Sequence, residues 1–215
     1  MIDLSKYTHL IWDWNGTLLD DAWLCVDIMN GMLADRGLPL KTLEDYRSIF
    51  DFPVRDYYER LGYDFSKEPF AEVGREFMVL YNQRQRESSL HKEVREILER
   101  FRQKGFKQYI LSAREHNELV LETRDLRINH FFTEIFGLED HFAHGKTHVG
   151  IRMLEKISIQ GERILYVGDT CHDAEVAREI GIDCILIPNG HNSKERLEAA
   201  RVPMVSSLTE LSHML

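Results

Sequence analysis

Cysteine is scarce in this chain: Cys25, Cys171 and Cys184 are the only three among 215 residues. An odd, widely scattered set supplies neither a disulfide framework nor a metal-ligand spacing, so the sequence predicts a reduced, cytoplasmic protein. No apolar run approaches the ~20 residues that a bilayer-spanning helix needs. The opening residues, Met1-Ile2-Asp3-Leu4-Ser5-Lys6, lack the basic-then-apolar pattern of a secretory signal, and no membrane partner is expected. Positive charge is also in deficit. Lys and Arg number 27 against 36 Asp and Glu, a net charge of −9, which excludes nucleic acid as a general partner because a phosphate backbone needs a basic face. A small phosphorylated metabolite can still bind where a few cations are placed locally.

What is present is ordinary for a folded domain: 43 % hydrophobic and 29 % charged residues. The length suits one substantial domain carrying a smaller insert, as a monomer or homodimer. His9-Leu10-Ile11-Trp12 reads as a buried strand ending at Asp13-Trp14-Asn15-Gly16-Thr17. From about residue 91, helix and strand alternate. Val94, Ile97, Leu98 and Phe101 make one apolar helical stripe, which Gly105 should end. Strands are predicted at 106–111, 134–137, 163–167 and 183–187, with helices at 116–126, 146–156 and 171–180. This alternation predicts an α/β fold, a doubly wound parallel sheet with helices on both faces. Residues 19–88 break the rhythm with helical patterns and turn signals. They predict an inserted α-helical cap, leaving 1–18 and 89–215 as the core.

In an open parallel sheet, ligands bind beyond the carboxyl ends of the strands. Asp13 after the first strand, Ser112 after the second and Asp169 after Val167-Gly168 fall on that edge, and Lys146 opens a helix facing it. Each has a bland alternative, since Asp or Ser at a strand–helix junction is commonly a cap and a lone Lys is commonly solvated. Their joint placement favours a site.

Asp13-Trp14-Asn15-Gly16-Thr17 resembles the first motif of the haloacid dehalogenase-like superfamily, Asp-x-Asp-Gly-Thr in its phosphatases. Tyr109-Ile110-Leu111-Ser112 resembles the second motif, Lys146 the third, and Gly168-Asp169-Thr170-Cys171-His172-Asp173 the fourth. The helical insert resembles the cap of the subgroup that contains phosphoglycolate phosphatases. The resemblance implies a Mg²⁺-dependent phosphatase acting on a small phosphomonoester through a phosphorylated Asp13. It implies Asp13, Asn15, Asp169 and Asp173 as the metal-binding set, with Asn15 using its backbone carbonyl. Thr17, Ser112, Ala113 and Lys146 would hold the phosphoryl group, and Asp13, Asn15 and Lys146 would be the catalytic positions. The residue types suit this chemistry: a carboxylate nucleophile splits phosphoryl transfer into two displacements, and crowded carboxylates call for a hard cation.

Asn15 departs from the motif. The second Asp of the family's phosphatases exchanges protons with the leaving group and the attacking water, which an amide cannot do near neutrality. Losing a general acid–base costs ~10²–10⁴ in rate. Substrates with good leaving groups, a proton supplied by another group of the insert, or a phosphate-binding regulatory protein with weak turnover would each accommodate Asn15. A phosphotransferase or mutase is a further alternative. Asn15→Asp is expected to raise hydrolysis of a generic ester.

Other signals are set aside. Gly145-Lys146-Thr147 lacks the earlier glycine of a P-loop, because position 140 is Asp. His141, His144 and His148 have no recognised ligand spacing and read as a polar loop. Arg55 reads as a solvated helix start, and Tyr57, Tyr58, Phe70, Phe77 and Tyr81 as packing within the insert.

Overall fold

The computed structural model describes residues 3–139, 145–158 and 163–215. Five strands form one parallel sheet: β1 (His9–Trp12), β4 (Lys107–Glu115), β5 (Glu134–Leu138), β6 (Ile164–Gly168) and β7 (Asp183–Leu186). Their spatial order is β5-β4-β1-β6-β7, and every neighbouring pair is parallel. β1 is central and all four of its residues are buried, which is why it reads as a continuous apolar run rather than an alternating one.

Alternate residues of β1 serve two cores. Leu10 and Trp12 pack with Val94, Ile97, Leu98 and Phe101 of α5 (Val94–Gln103), and with Leu208 and Leu211 of α10 (Leu208–His213). Ile11 faces the other way, among Val149 and Met153 of α7 (Lys146–Ile157) and Ala174 and Ala177 of α8 (Cys171–Ile180). The period-two geometry of a strand thus feeds helical layers on both faces. Trp12 is fully buried, and its indole N–H donates to Gln108 Oε1 at 3.0 Å, so its burial leaves no orphan donor. Gly105, with φ +84, follows α5 as expected.

The segment after β1 leaves the sheet through a short antiparallel pair, β2 (Leu19–Asp20) with β3 (Ser89–Leu90). Between them lie α1 (Ala22–Asp35), α2 (Leu43–Ile49), α3 (Val54–Leu61) and α4 (Phe70–Arg84). These helices own a separate apolar cluster running from Ala22 to Tyr81, to which none of the described core residues contributes. An independent cluster is what lets an insert act as a unit. Thr42 and Asp45 close a reciprocal capping box at the start of α2.

One strand boundary differs from expectation by more than a residue. β4 continues beyond Leu111 through Ser112 and Ala113 to Glu115, with a register irregularity against β5 between Leu111 and Glu115. Ser112 therefore lies inside the strand rather than after it. The extension is tied down by Arg114, whose buried guanidinium pairs with Glu122 at 2.9 Å on α6 (His116–Asp125). Among the described residues no helix is long and apolar enough to cross a membrane. The positions of His141 and His144 lie outside the described residues, and His148 is exposed on α7.

Candidate active site

Strand register gathers the site. Trp12 pairs with Ile110 on one side and Val167 on the other. Asp13, Ser112 and Asp169 follow those residues by one or two positions, so the carboxyl ends of β1 and β6 and the start of the irregular stretch of β4 present them side by side. Asp13 continues the ladder, its backbone N–H donating to Val167 O at 2.9 Å. Lys146, the first residue of α7, reaches into this edge and donates both to Asp13 Oδ1 and to Asp173 Oδ1, the latter at 2.6 Å. All of these side chains are buried.

One carboxylate oxygen from each of Asp13, Asp169 and Asp173 lies within 4.8 Å of the other two. Burial pushes the Asp13 carboxyl well above its ordinary range, and the charges of Asp173 and Asp169 add to that although Lys146 opposes it. Asp169 is likewise raised by burial and by Asp173, against the opposing charge of His191. Burial acts the same way on Asp173, but the Lys146 charge and hydrogen bonds from Lys146, Thr170 and Tyr166 outweigh it and hold the carboxyl low. Lys146 stays protonated, since Asp13 and Asp173 overcome its desolvation.

Asp173 has a second task. Its Oδ2 accepts from the Asp169 N–H (3.1 Å), the Thr170 N–H (3.0 Å) and the Thr170 hydroxyl (2.7 Å), completing a capping box at the start of α8. Asp173 thus caps α8 and stands, buried, in the acidic cluster at the same time. Its Oδ1 accepts from Tyr166 Oη at 2.9 Å as well as from Lys146.

Asp169 is clasped by two loops. Thr17 donates its hydroxyl to Oδ1 at 2.7 Å, and the His191 N–H donates to Oδ2 at 2.6 Å. Gly16 and Gly190 lie against the same carboxylate, where a Cβ on either would collide with it, and Gly16 has φ +78. Among the expected phosphate-holding residues, Ser112 is buried with its Oγ accepting from the Arg114 N–H at 3.0 Å, and Ala113 is the exposed residue beside it.

The surroundings of Asn15 carry the residues that sequence reading missed. Its Nδ2 donates to Asp21 Oδ2 (2.7 Å) and to Tyr81 Oη (2.8 Å), and Tyr81 donates its own hydroxyl to Asp21 Oδ2 at 2.7 Å. Asp21 also accepts from the Gly16 N–H at 2.9 Å and pairs with His191 Nε2 at 3.3 Å. His191 Nδ1 lies 2.8 Å from the hydroxyl of Tyr46 on α2. Desolvation would discharge His191, but Asp21, Asp169 and Asp13 raise its pKa to about 9. Tyr81 packs in the insert's core as expected, yet its hydroxyl reaches the site. Arg55 is exposed and pairs with Glu59, matching a solvated helix start.

The haloacid dehalogenase-like hydrolase family profile matches residues 10–187. A curated phosphoglycolate phosphatase of Nitrosospira multiformis is 28 % identical, covering 94 % of this chain and 93 % of its own length. One from Pseudomonas savastanoi pv. phaseolicola is 24 % identical over 85 % of this chain and 70 % of its own. Among solved structures, a haloacid dehalogenase-like hydrolase from Streptococcus pneumoniae superposes with a TM-score of 0.82 at 21 % identity, covering 96 % of this chain and 97 % of the other. The motif order, the parallel sheet and the profile agree, and the chain belongs to the haloacid dehalogenase-like hydrolases.

Proposed function

We propose that this protein is a Mg²⁺-dependent phosphatase that transfers the phosphoryl group of a small phosphorylated metabolite to Asp13 and then to water. The observation that carries this reading is the Lys146 ammonium held between Asp13 and Asp173, with Asp169 completing a buried acidic cluster. An all-oxygen donor set of buried carboxylates, two with raised pKa values, fits a hard divalent cation and no soft one. Asp13, Asp169 and the Asn15 carbonyl would hold that cation, with Asp173 beside them. When bound, it would neutralise charge on the transferring phosphoryl group.

The chain's own residues account for the remaining requirements. Asp13 supplies the nucleophilic oxygen, forming an aspartyl-phosphate as the leaving group departs. Lys146 spreads positive charge across Asp13 and the incoming phosphoryl oxygens, and Asp173 and Tyr166 keep it aimed. The Ser112 hydroxyl and the adjoining Ala113 backbone orient the phosphoryl group, while Thr17 fixes Asp169. The insert, seated over the strand ends, excludes bulk water. Phosphoglycolate, named for the curated relatives, is the first substrate to try, although fold analogy alone does not assign it. Three free thiols support a reducing, cytoplasmic setting.

The test is phosphate release over a panel of phosphorylated metabolites, with Mg²⁺ and with chelator, using Asp13→Asn as the control. Release that needs Mg²⁺ and disappears in Asp13→Asn supports the reading. Release that survives Asp13→Asn excludes the nucleophile.

A further inference from the structure

We propose that the site is built for activated phosphates, acyl phosphates above all, whose leaving group departs as a stable anion without receiving a proton. The inference rests on Asp13 as nucleophile and concerns the groups around it.

The orientation of the Asn15 amide is fixed by its partner. The Asp21 carboxylate can only accept at 2.7 Å, so the amide must turn its NH₂ toward it. Both amide hydrogens are then committed, one to Asp21 and one to Tyr81. What Asn15 has left is a carbonyl oxygen, an acceptor that can hold a water or hydroxyl but can give no proton.

The neighbouring polar groups do not fill the gap. Tyr81 donates its hydroxyl to Asp21. His191 has Nε2 directed at Asp21 and Nδ1 at Tyr46, so both ring nitrogens face the interior of this network. Tyr166 donates to Asp173 and Thr17 to Asp169. Lys146 is divided between two carboxylates. Around Asp13 these hydrogens are given to fixed protein acceptors; the Ser112 hydroxyl, which accepts from the Arg114 N–H, keeps its hydrogen for a phosphoryl oxygen, and a serine hydroxyl is too weak an acid to serve as a general acid near neutrality. Among the described residues the network around Asn15 closes on itself and offers no general acid for a departing oxygen.

An alkyl phosphate leaves as an alkoxide and needs a proton as the P–O bond breaks. An acyl phosphate does not. Asp13 Oδ forms the new bond to phosphorus, the bond from phosphorus to the acyl oxygen breaks, and the electron pair leaves with a carboxylate that is stable in water. The product, phospho-Asp13, is itself an acyl phosphate, so one mixed anhydride is exchanged for another. In the second step a water oxygen attacks phosphorus and the Asp13 carboxylate leaves with its electron pair. One proton of that water stays on the phosphate oxygen it formed and the other must pass to a base or to bulk water. With only an acceptor at position 15, this step lacks a base and the phosphoenzyme persists.

The experiment is a leaving-group series on the native protein with Mg²⁺: acetyl phosphate, p-nitrophenyl phosphate, phenyl phosphate and 2-phosphoglycolate. The expected kcat/KM falls by about 100-fold or more from acetyl phosphate to 2-phosphoglycolate, matching the weight of a missing general acid. Covalent phosphate on Asp13 should accumulate with acetyl phosphate and be visible by intact mass. The exchanged pair Asn15→Asp/Asp21→Asn keeps the number of carboxylates and restores a titratable group at position 15, and it should flatten the series. A native series in which 2-phosphoglycolate lies within about tenfold of the acyl and aryl donors would overturn the proposal whether or not the variant folds. Turnover without label on Asp13, undiminished in Asp13→Asn, would overturn the underlying nucleophile assignment instead, and the label separates the two failures.

Discussion

Asn15 and Asp21, six positions apart across the turn that leads into α1, are joined by a 2.7 Å hydrogen bond from amide to carboxylate. Asp21 is wholly buried, and its charge is held by His191, Tyr81 and Asn15 against the desolvation that would raise its pKa. Asn15→Asp alone would therefore set two carboxylates within hydrogen-bond distance in a buried place. Like charges so close cannot both ionise. The single variant should lose roughly 1–3 kcal/mol of stability, the range for stranding a buried polar partner. The exchanged pair Asn15→Asp/Asp21→Asn should recover most of that loss. Urea denaturation of the two single variants, the pair and the native protein measures the coupling. Strict additivity would show that the two side chains do not act as a unit. The gain in hydrolysis expected for Asn15→Asp from sequence is thus expected chiefly from the pair.

Lys146 is the next position where charge balance makes a definite demand. It lies buried between Asp13 and Asp173. Lys146→Met leaves both carboxylates buried without their cation, a change that costs about 3–5 kcal/mol when one partner of a buried pair is removed. Lys146→Arg should not restore function, because a planar fork cannot take the place of a compact ammonium between these two oxygens. Denaturant midpoints and phosphate release of both variants check this. Near-native stability of Lys146→Met would mean that the carboxylates are neutralised by other means.

The part of the site that was legible in sequence is the part written at element boundaries. Asp13 and Asp169 stand at strand ends and Lys146 at a helix start, positions that apolar periodicity alone locates. Asp173 follows Thr170 at the spacing of a capping box. Asp21, His191, Tyr46 and Tyr81 carry no such mark. Tyr46 meets His191 across 145 positions of sequence, and that contact exists only because the insert folds back over the sheet. His191 follows Pro188-Asn189-Gly190, which reads simply as a break. Tyr81 falls on the apolar stripe of α4, so its packing is readable and its hydroxyl's destination is not. The extension of β4 past Ser112 was hidden for a similar reason, since it depends on Arg114 finding Glu122.

One stretch of the insert, from Arg47 to Phe52, is latched to the core. Arg47 donates to the carbonyls of Gly190 (2.7 Å) and Asn189 (3.1 Å), and Arg196 pairs with Asp51 at 2.8 Å. Asn192 donates to Phe50 O at 2.9 Å, and Phe52 stacks on His172 with centroids 4.5 Å apart. These contacts join α2 and the turn after it to the loop that also clasps Asp169, to α9 (Lys194–Ala199), which follows that loop, and to the start of α8. Arg47→Ala removes two charge-assisted hydrogen bonds without opening either core. Hydrogen exchange of α2 and α3 amides should quicken several-fold while β1 and β6 amides keep their protection. Equal acceleration in both regions would show that the latch is part of global stability.

The Asp21–His191 pair makes stability depend on pH in a stated direction. Burial works against charge on His191, but Asp21, Asp169 and Asp13 outweigh it and lift the imidazole from its ordinary 6.5 to about 9. The folded protein therefore holds this proton more tightly than the unfolded chain does. Its contribution is complete below pH 6.5 and fades as pH rises from there through 9, because only the folded state still carries a proton to lose. The loss is bounded at roughly 3 kcal/mol by the size of the shift. Asp21 acts at the opposite end: its lowered pKa gives stability that disappears as pH falls through the acid range. Urea denaturation from pH 6 to 10 in chelator, compared with His191→Gln, isolates the first effect. The native protein should lose stability across the alkaline limb and His191→Gln should lose less. Parallel pH profiles for the two proteins would show that His191 is not the group whose proton the fold retains.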